Sequence, residues 1–239
     1  MNLQEETYKI LGQRLLDEFD SKKLVEWAVN AMKLGYDSKS LIILAGLDYE
    51  STEEREEFFW KSVEELNLNI KREASELIND YAKYVANAVV NMQLSPKIGL
   101  SKMYGICRST DYDSKYIQFY ELDEDLDYLD YGQSTPIYNQ GITKENADAF
   151  IFREFELFLE FEALDIEKEL RKKAFCNKCE QITEPELRKK FQFKKPFKFQ
   201  EFVCRNCKSN NIDSFGSQIG KEKILKRIKT THKPLASNS

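Results

Sequence analysis

Four cysteines arranged as two separated C-x-x-C pairs constrain this chain more than any other feature. Cys176 and Cys179 form the first pair, Cys204 and Cys207 form the second, and 24 residues lie between the pairs. Each C-x-x-C folds into a tight turn that directs both sulfurs to one point, and two such turns complete a tetrahedron of thiolates that suits Zn²⁺. The spacing therefore predicts a zinc ribbon with these four residues as ligands.

The predicted zinc site is structural, because four thiolates fill the coordination shell and a catalytic zinc keeps one position open. The alternatives are two redox-active pairs or two disulfides. An intracellular setting disfavours disulfides, and no βαβ pattern of the thioredoxin type surrounds either pair. The remaining cysteine, Cys107, lies beside Ile106 and near Met103, which predicts a buried small apolar residue.

The charge of the chain divides at about residue 170. Residues 1–170 carry 18 Lys and Arg against 35 Asp and Glu, a net charge of −17, whereas residues 171–239 carry 18 against 6, a net charge of +12. Such asymmetry indicates separate modules or an interaction surface. We therefore predict an acidic all-α domain over 1–170, a zinc ribbon over 171–220, and a basic helix with a frayed tail over 221–239.

Apolar periodicity and capping residues predict helices throughout the acidic part. Gly35 is placed to end one helix, Ser38 or Asp37 to cap the next, and Ser51 to cap a third. The turn sequence at 35–39 recurs in part at 111–115, which favours stacked hairpins. The predicted fold class is mainly α, with stacked helical hairpins followed by a small β zinc-ribbon module.

An acidic segment is the best candidate for a binding surface in the helical part. Leu122, Leu126 and Leu129 share one helical face, which predicts an amphipathic helix with a strongly negative outer side. Three interpretations remain open: contact with a basic protein partner, contact with the chain's own basic module, and a plain solvated face. The candidate partner-binding residues are Glu121, Asp123, Glu124, Asp125, Asp127, Tyr128, Asp130 and Tyr131.

The segment between the cysteine pairs alternates Phe with polar residues from Phe191 to Phe202, which predicts a β-hairpin with Pro196 at its turn. Aromatic and basic residues interleaved in this way can stack on single-stranded nucleic acid. The phenylalanines can instead form the apolar core of the ribbon. This second interpretation is favoured because a ribbon has few other apolar residues. The basic helix at 221–229 could contact an acidic partner or nucleic acid, but a solvated face is the more common role of such a helix.

Composition argues against most enzyme classes and against a membrane protein. The chain has one His, His232, and lacks phosphate-binding glycine loops, zinc-protease helices and nucleophile elbows. Its longest apolar run, Leu41–Leu47, is far shorter than the roughly 20 residues that cross a bilayer, and no signal sequence opens the chain. We therefore predict a non-enzymatic protein in the cytoplasm.

Residues 24–47, from Leu-Val-Glu-Trp-Ala to Gly-Tyr-Asp-Ser-Lys-Ser-Leu-Ile-Ile-Leu-Ala-Gly-Leu, carry a resemblance that continues at Tyr84-Val-Ala-Asn-Ala and Leu94-Ser-Pro-Lys-Ile-Gly-Leu100. There the chain resembles a group of poorly characterised bacterial helical proteins, some of which look like immunity or defence proteins. The resemblance implies a protein that neutralises a toxin, and it transfers no catalytic residue. The net charge of −17, the clustered acids and the lack of a catalytic signature predict binding of another protein, and the resemblance suggests a basic toxin as that partner. Nucleic-acid binding through the ribbon and basic tail is the alternative.

Overall fold

The computed structural model of the chain describes residues 3–16, 19–71, 73–164, 166, 168–191 and 193–231. The predicted fold class is confirmed, because the chain is mainly helical and its strands lie in a small C-terminal module. His232 and the predicted tail over 232–239 lie outside the described residues. The helices are α1 (Leu3–Leu15), α2 (Lys22–Lys33), α3 (Lys39–Ala45), α4 (Thr52–Glu65), α5 (Ala74–Val90), α6 (Pro96–Ser109), α7 (Ile117–Asp130), α8 (Ala147–Ala163) and α9 (Gln218–Thr231), with a 3₁₀ helix at Lys168–Lys172.

Among the described residues, two antiparallel sheets are formed by the short strands β1 (Ala174–Cys176), β2 (Ile182–Thr183), β3 (Pro185–Phe191), β4 (Lys198–Cys204) and β5 (Ile212–Ser214). The first sheet has the order β2-β1-β5, and the second is the β3–β4 hairpin, in which Pro185 pairs with Cys204 and Phe191 with Lys198. The connection between β3 and β4 contains Pro196, as predicted.

The chain divides into two compact units, and the division does not fall at residue 170. Unit 1 comprises Met1–Ala88 with Arg108–Thr110, and unit 2 comprises Val89–Cys107 with Asp111–Ser239. The predicted domain boundaries at 170 and 220 are therefore corrected: the ribbon strands and α9 belong to the same unit as α7 and α8. The change in net charge near residue 170 therefore does not coincide with the boundary between the two compact units.

The core of unit 1 is centred on Trp27. Its ring meets Phe59 edge-on with the ring centroids 4.9 Å apart, and its Nε1 donates a hydrogen bond to Thr7 Oγ1 at 3.0 Å. A Cβ at Gly12 would overlap the ring of Tyr81, so this glycine allows α1 to approach α5 closely. The indole is thus buried with its polar group satisfied.

The predicted helix ends in unit 1 are confirmed. The Oγ of Ser38 accepts a hydrogen bond from Leu41 N, and the Oγ of Ser51 accepts one from Glu54 N, each at 3.2 Å. Gly35 follows α2 with a φ of +90°, a conformation that glycine adopts without steric cost. Short polar residues and one glycine therefore set the chain reversals on either side of α3.

Phenylalanines of α8 organise the core of unit 2. Phe155 meets Phe119 of α7 with the ring centroids 4.8 Å apart, and Phe161 meets Phe215, which follows β5, at 5.0 Å. Ile224 of α9 is fully buried in the same cluster as Phe161. The ribbon and α9 therefore share an apolar core with α8.

A buried ion pair joins α9 to α8. Lys221 and Glu154 are in direct contact, with side chains only 4% and 5% exposed. Burial lowers the pKa of Lys221, and the Glu154 carboxylate opposes that shift. The Nζ of Lys221 also lies 3.4 Å from Gln118 Oε1. Breaking such a buried pair on one side typically costs about 3–5 kcal/mol, so this contact fixes where α9 packs.

Part of the charge asymmetry is neutralised inside unit 2. Basic and acidic residues of α8, the 3₁₀ helix and α9 form further ion pairs: Arg153–Glu222, Lys229–Glu160 and Arg171–Glu162. The chain's own basic segment therefore pairs with α8. Among the described residues, no helix is both long enough and apolar enough to cross a membrane.

Candidate metal centre and adjoining surfaces

The four predicted ligand cysteines come together at one point of the ribbon. Their sulfurs all lie within 4.8 Å of one another, with 3.5 Å between Cys176 and Cys207 and 3.7 Å between Cys179 and Cys204. Sulfurs bound at about 2.3 Å around a tetrahedral ion lie about 3.8 Å apart, whereas a disulfide needs about 2.05 Å. The cluster is therefore compatible with a metal-binding site, and none of these four cysteines is in a disulfide.

Both C-x-x-C turns have the same backbone conformation. The N–H of Glu180 donates to Cys176 O at 2.8 Å, and the N–H of Lys208 donates to Cys204 O at 2.9 Å. Glu180 and Lys208 have left-handed φ values of 54° and 58°. Glu180 and Lys208 occupy equivalent positions of the two turns and share this uncommon backbone conformation, although their side chains differ. The shared conformation directs the two sulfurs of each turn toward the cluster.

The sulfurs differ in how readily they ionise. Burial alone raises the pKa of Cys204, but hydrogen bonds from the backbone N–H groups of Cys207 and Asn206 outweigh it and lower the pKa to about 6. Burial and the neighbouring sulfurs raise the pKa of Cys179 to about 12. Four thiolates this close repel one another, so full ionisation requires a cation between them. The donor set thus fits a thiophilic metal ion.

A polar network that the sequence did not reveal ties the first cysteine turn to α9. Asn177 Nδ2 donates to Asp213 Oδ2 at 2.7 Å, and Lys223 Nζ donates to Asn177 Oδ1 at 2.7 Å. Asn177 is one of the two unspecified residues of the C-x-x-C pattern, so the pattern does not predict a role for its side chain. By contrast, Cys107 is buried as predicted, and burial raises its pKa to about 11.

The hairpin that leaves the metal centre has two chemically different faces. Its ladder pairs Leu187 with Phe202, Lys189 with Gln200, and Phe191 with Lys198, and all six of these side chains are exposed. The opposite face pairs Glu186 with Val203, Arg188 with Glu201, and Lys190 with Phe199. Both strand carboxylates therefore lie on the second face, and the first face carries none.

The favoured prediction that the ribbon phenylalanines form its core is wrong for most of them. Phe191 is 74% exposed and Phe202 60%, and Phe193 and Phe197 in the connecting segment are also exposed. The reason is strand parity, because alternating residues point to opposite faces and the buried Val203 sets the inner one. An aromatic surface remains, with Lys198 Nζ 5.5 Å from the centre of the Phe191 ring.

The acidic segment does form the predicted amphipathic helix, as the second half of α7. Its members differ in exposure: Asp127, Tyr128, Asp130 and Tyr131 are exposed, Glu121, Asp123 and Glu124 are half-buried, and Asp125 is buried. Burial raises the pKa of Glu121, and burial together with the Asp127 and Glu124 carboxylates raises that of Asp123. The exposed surface is thus confined to the C-terminal end of the helix.

The prediction that Asp125 belongs to a contact surface is wrong. Its side chain is 0% exposed and accepts hydrogen bonds from the backbone N–H groups of Ile137, Tyr138 and Asn139, and from the Asn139 side chain at 3.0 Å. This carboxylate fixes the loop that follows α7. The loop displays Ile137 and Tyr138 to solvent beside the exposed end of the helix.

Comparison with family models, curated proteins and solved structures gives no match for this chain. The resemblance to bacterial helical proteins therefore stays a prediction. The features of the described residues that bear on function are the cysteine cluster, the aromatic face of the hairpin and the exposed end of α7.

Replacing Asp125 tests its role as the anchor of the loop. We expect Asp125→Asn to lower the free energy of unfolding by about 2–3 kcal/mol, because an amide presents N–H groups to backbone donors that now face a charged acceptor. The control Asp127→Asn changes the same charge at an exposed position and is expected to stay within about 0.5 kcal/mol. Equal losses in urea unfolding of the two variants would contradict the anchoring role.

Proposed function

We propose that this protein binds nucleic acid through the acid-free face of the β3–β4 hairpin. One observation carries the proposal: Phe191, Phe202 and Leu187 are exposed beside Lys189 and Lys198 on a face without a carboxylate. Exposed aromatic rings offer stacking platforms for bases, and lysines attract phosphates. The sequence left this function as the alternative, and the exposure of the rings now favours it.

The arrangement of charge on the hairpin supports the proposal. Glu201 lies on the opposite face and pairs with Lys190 at 2.7 Å and Arg188 at 2.8 Å. Within the part of the chain that the structure describes, neither Lys189 nor Lys198 has a carboxylate partner. Lysines without such partners are available to phosphates, and no negative side chain on their face repels the ligand.

Neutralising the two exposed lysines tests this function. We expect Lys189→Gln with Lys198→Gln to weaken oligonucleotide binding and to reduce the slope of log K against log salt by about 1.4, since each single-strand phosphate contact contributes about 0.7. Fluorescence anisotropy at a series of salt concentrations measures both quantities.

The matched control is Lys190→Gln with Lys208→Gln, which removes the same charge from lysines already paired with Glu201 and Glu186. We expect this control to leave the slope nearly unchanged. Absence of binding by the unmodified protein at low salt, or equal changes in the two double variants, would contradict the proposal.

We propose further that the metal is zinc and that its role is structural. A closed set of four thiolates is typical of structural zinc, and it leaves no position for a substrate or an activated water. Cys176, Cys179, Cys204 and Cys207 would hold the ion, and its binding energy would stabilise a module whose strands are short. A closed site argues against catalysis at this metal, and four cysteines without a disulfide fit a compartment that keeps thiols reduced, such as the cytoplasm.

Metal analysis of variants tests the zinc centre. Elemental mass spectrometry of protein purified without chelator is expected to give about one zinc per chain. Cys204→Ser should lose the metal, whereas Cys107→Ala, which changes the buried non-ligand cysteine, should retain it. Iron in place of zinc, or full metal content in Cys204→Ser, would contradict this assignment.

As a second candidate, we propose that the exposed end of α7 binds a basic protein. Tyr131 is 86% exposed and Tyr128 is also exposed, and Asp127 and Asp130 lie beside them in sequence. Tyrosine contributes strongly to protein interfaces, and clustered acids attract a basic partner. A toxin neutralised by this chain is the partner class that the resemblance to immunity proteins suggests.

Charge reversal at this surface tests the second candidate. Asp127→Lys with Asp130→Lys is expected to abolish co-purification of a basic protein from a lysate of the source organism. The control Glu26→Lys with Glu50→Lys makes the same charge change at exposed residues of unit 1 and should leave capture intact. Capture that withstands reversal at Asp127 and Asp130, or failure to recover any basic protein, would exclude this surface.

A further inference from the structure

We infer that the hairpin face binds single-stranded nucleic acid in preference to duplex, with unpaired bases stacked on Phe191 and Phe202. This inference rests on the proposed nucleic-acid function and names its ligand class. The chemistry of the face, rather than its net charge alone, carries the inference.

The rings of Phe191 and Phe202 lie at two positions along the hairpin that one single-stranded nucleic acid could contact together. Phe202 pairs with Leu187 and Phe191 pairs with Lys198, so the two pairs are four residues apart on β3. At about 3.3 Å per residue this separation is about 13 Å. The Lys189–Gln200 pair lies between them and offers a cation and an amide. Along the hairpin, this face therefore presents an apolar pair, then a polar pair, and then an aromatic ring beside a lysine.

Lys198 links the aromatic and electrostatic contributions. Its Nζ lies 5.5 Å from the centre of the Phe191 ring, within the range of a cation–π contact. A nucleotide whose base contacts this ring can therefore place its phosphate near the same ammonium. Lys194 and Lys195 are exposed in the connection that follows β3, where they extend the basic surface beyond Phe191.

A duplex would make poor use of this face. Paired bases are stacked on each other, so their flat surfaces are closed to a side chain, and sequence-tolerant duplex binding depends on phosphate contacts. The face provides two lysines, and Lys194 and Lys195 bring the basic surface to four, whereas salt-dependent duplex binders can make about 6–10 phosphate contacts. Its three apolar side chains would stay in contact with water or with charged phosphates. Unpaired bases cover those side chains and gain stacking energy.

The experiment compares a fluorescein-labelled 12-nucleotide deoxythymidine strand with a labelled 12-base-pair duplex rich in G·C pairs, which stays paired at low salt, using the full chain. We expect tighter binding of the single strand. Phe191→Leu with Phe202→Leu should weaken single-strand binding at least about 30-fold, since each stacked base contributes about fivefold or more. The same variant should leave duplex binding nearly unchanged.

Aromatic rescue is the matched control. Phe191→Tyr with Phe202→Tyr keeps both π faces and should bind the single strand nearly as tightly as the unmodified protein, whereas leucine keeps only the apolar character. Circular dichroism and metal content should be the same in all variants, because both positions are exposed.

Three results would overturn the inference, and they differ in what they imply. Duplex binding as tight as single-strand binding, with no effect of the leucine variant, would reject the single-strand preference but keep the nucleic-acid function. No binding of either ligand would reject both. Self-association of the protein that the leucine variant abolishes, without nucleic-acid binding, would identify the face as a contact between copies of this chain.

Discussion

The convergence of four cysteine sulfurs is the contact on which the C-terminal module depends. The strands there are between two and seven residues long, too short to bury a core of their own. β1 ends at Cys176 and β4 ends at Cys204, so two strands from different sheets meet at the cluster. Pro185 pairs with Cys204, and the hairpin therefore extends directly from this point. A metal ion among the sulfurs would hold the hairpin face in place.

Charge is distributed in unit 2 according to what each element packs against. Lys221 is buried against Glu154, whereas Lys189 and Lys198 remain exposed on the hairpin. The basic segment therefore contributes to stability at α9 and leaves the hairpin lysines available for a ligand. Burial therefore distinguishes the lysine that stabilises α9 from the exposed lysines of the hairpin.

The sequence predicted the features that local chemistry determines. The cysteine set, the caps at Ser38 and Ser51 and the turn at Pro196 each follow from residue type at a fixed spacing. Period-2 alternation predicted the hairpin, but it defines two faces without showing which one is covered. Only the tertiary position of Val203 decides that Phe202 is exposed.

The other predictions that differ from the structure, those for Asp125 and for the boundary at residue 170, fail for a similar reason. Asp125 is indistinguishable in sequence from the acids around it, because its backbone partners lie 12–14 residues further along the chain. The boundary predicted at residue 170 followed net charge, which does not reveal that Phe215 packs on Phe161. Exposure and domain division both depend on contacts between distant residues, and local patterns carry little information about them.

The most direct measurement is binding of single-stranded nucleic acid by the full chain as purified, after treatment with a chelator, and after zinc is added back. We expect affinity to fall in proportion to the metal lost and to recover when zinc is restored, because the hairpin face depends on the sulfur cluster. Binding that stays unchanged in the metal-free protein would contradict the link between the metal centre and the nucleic-acid surface.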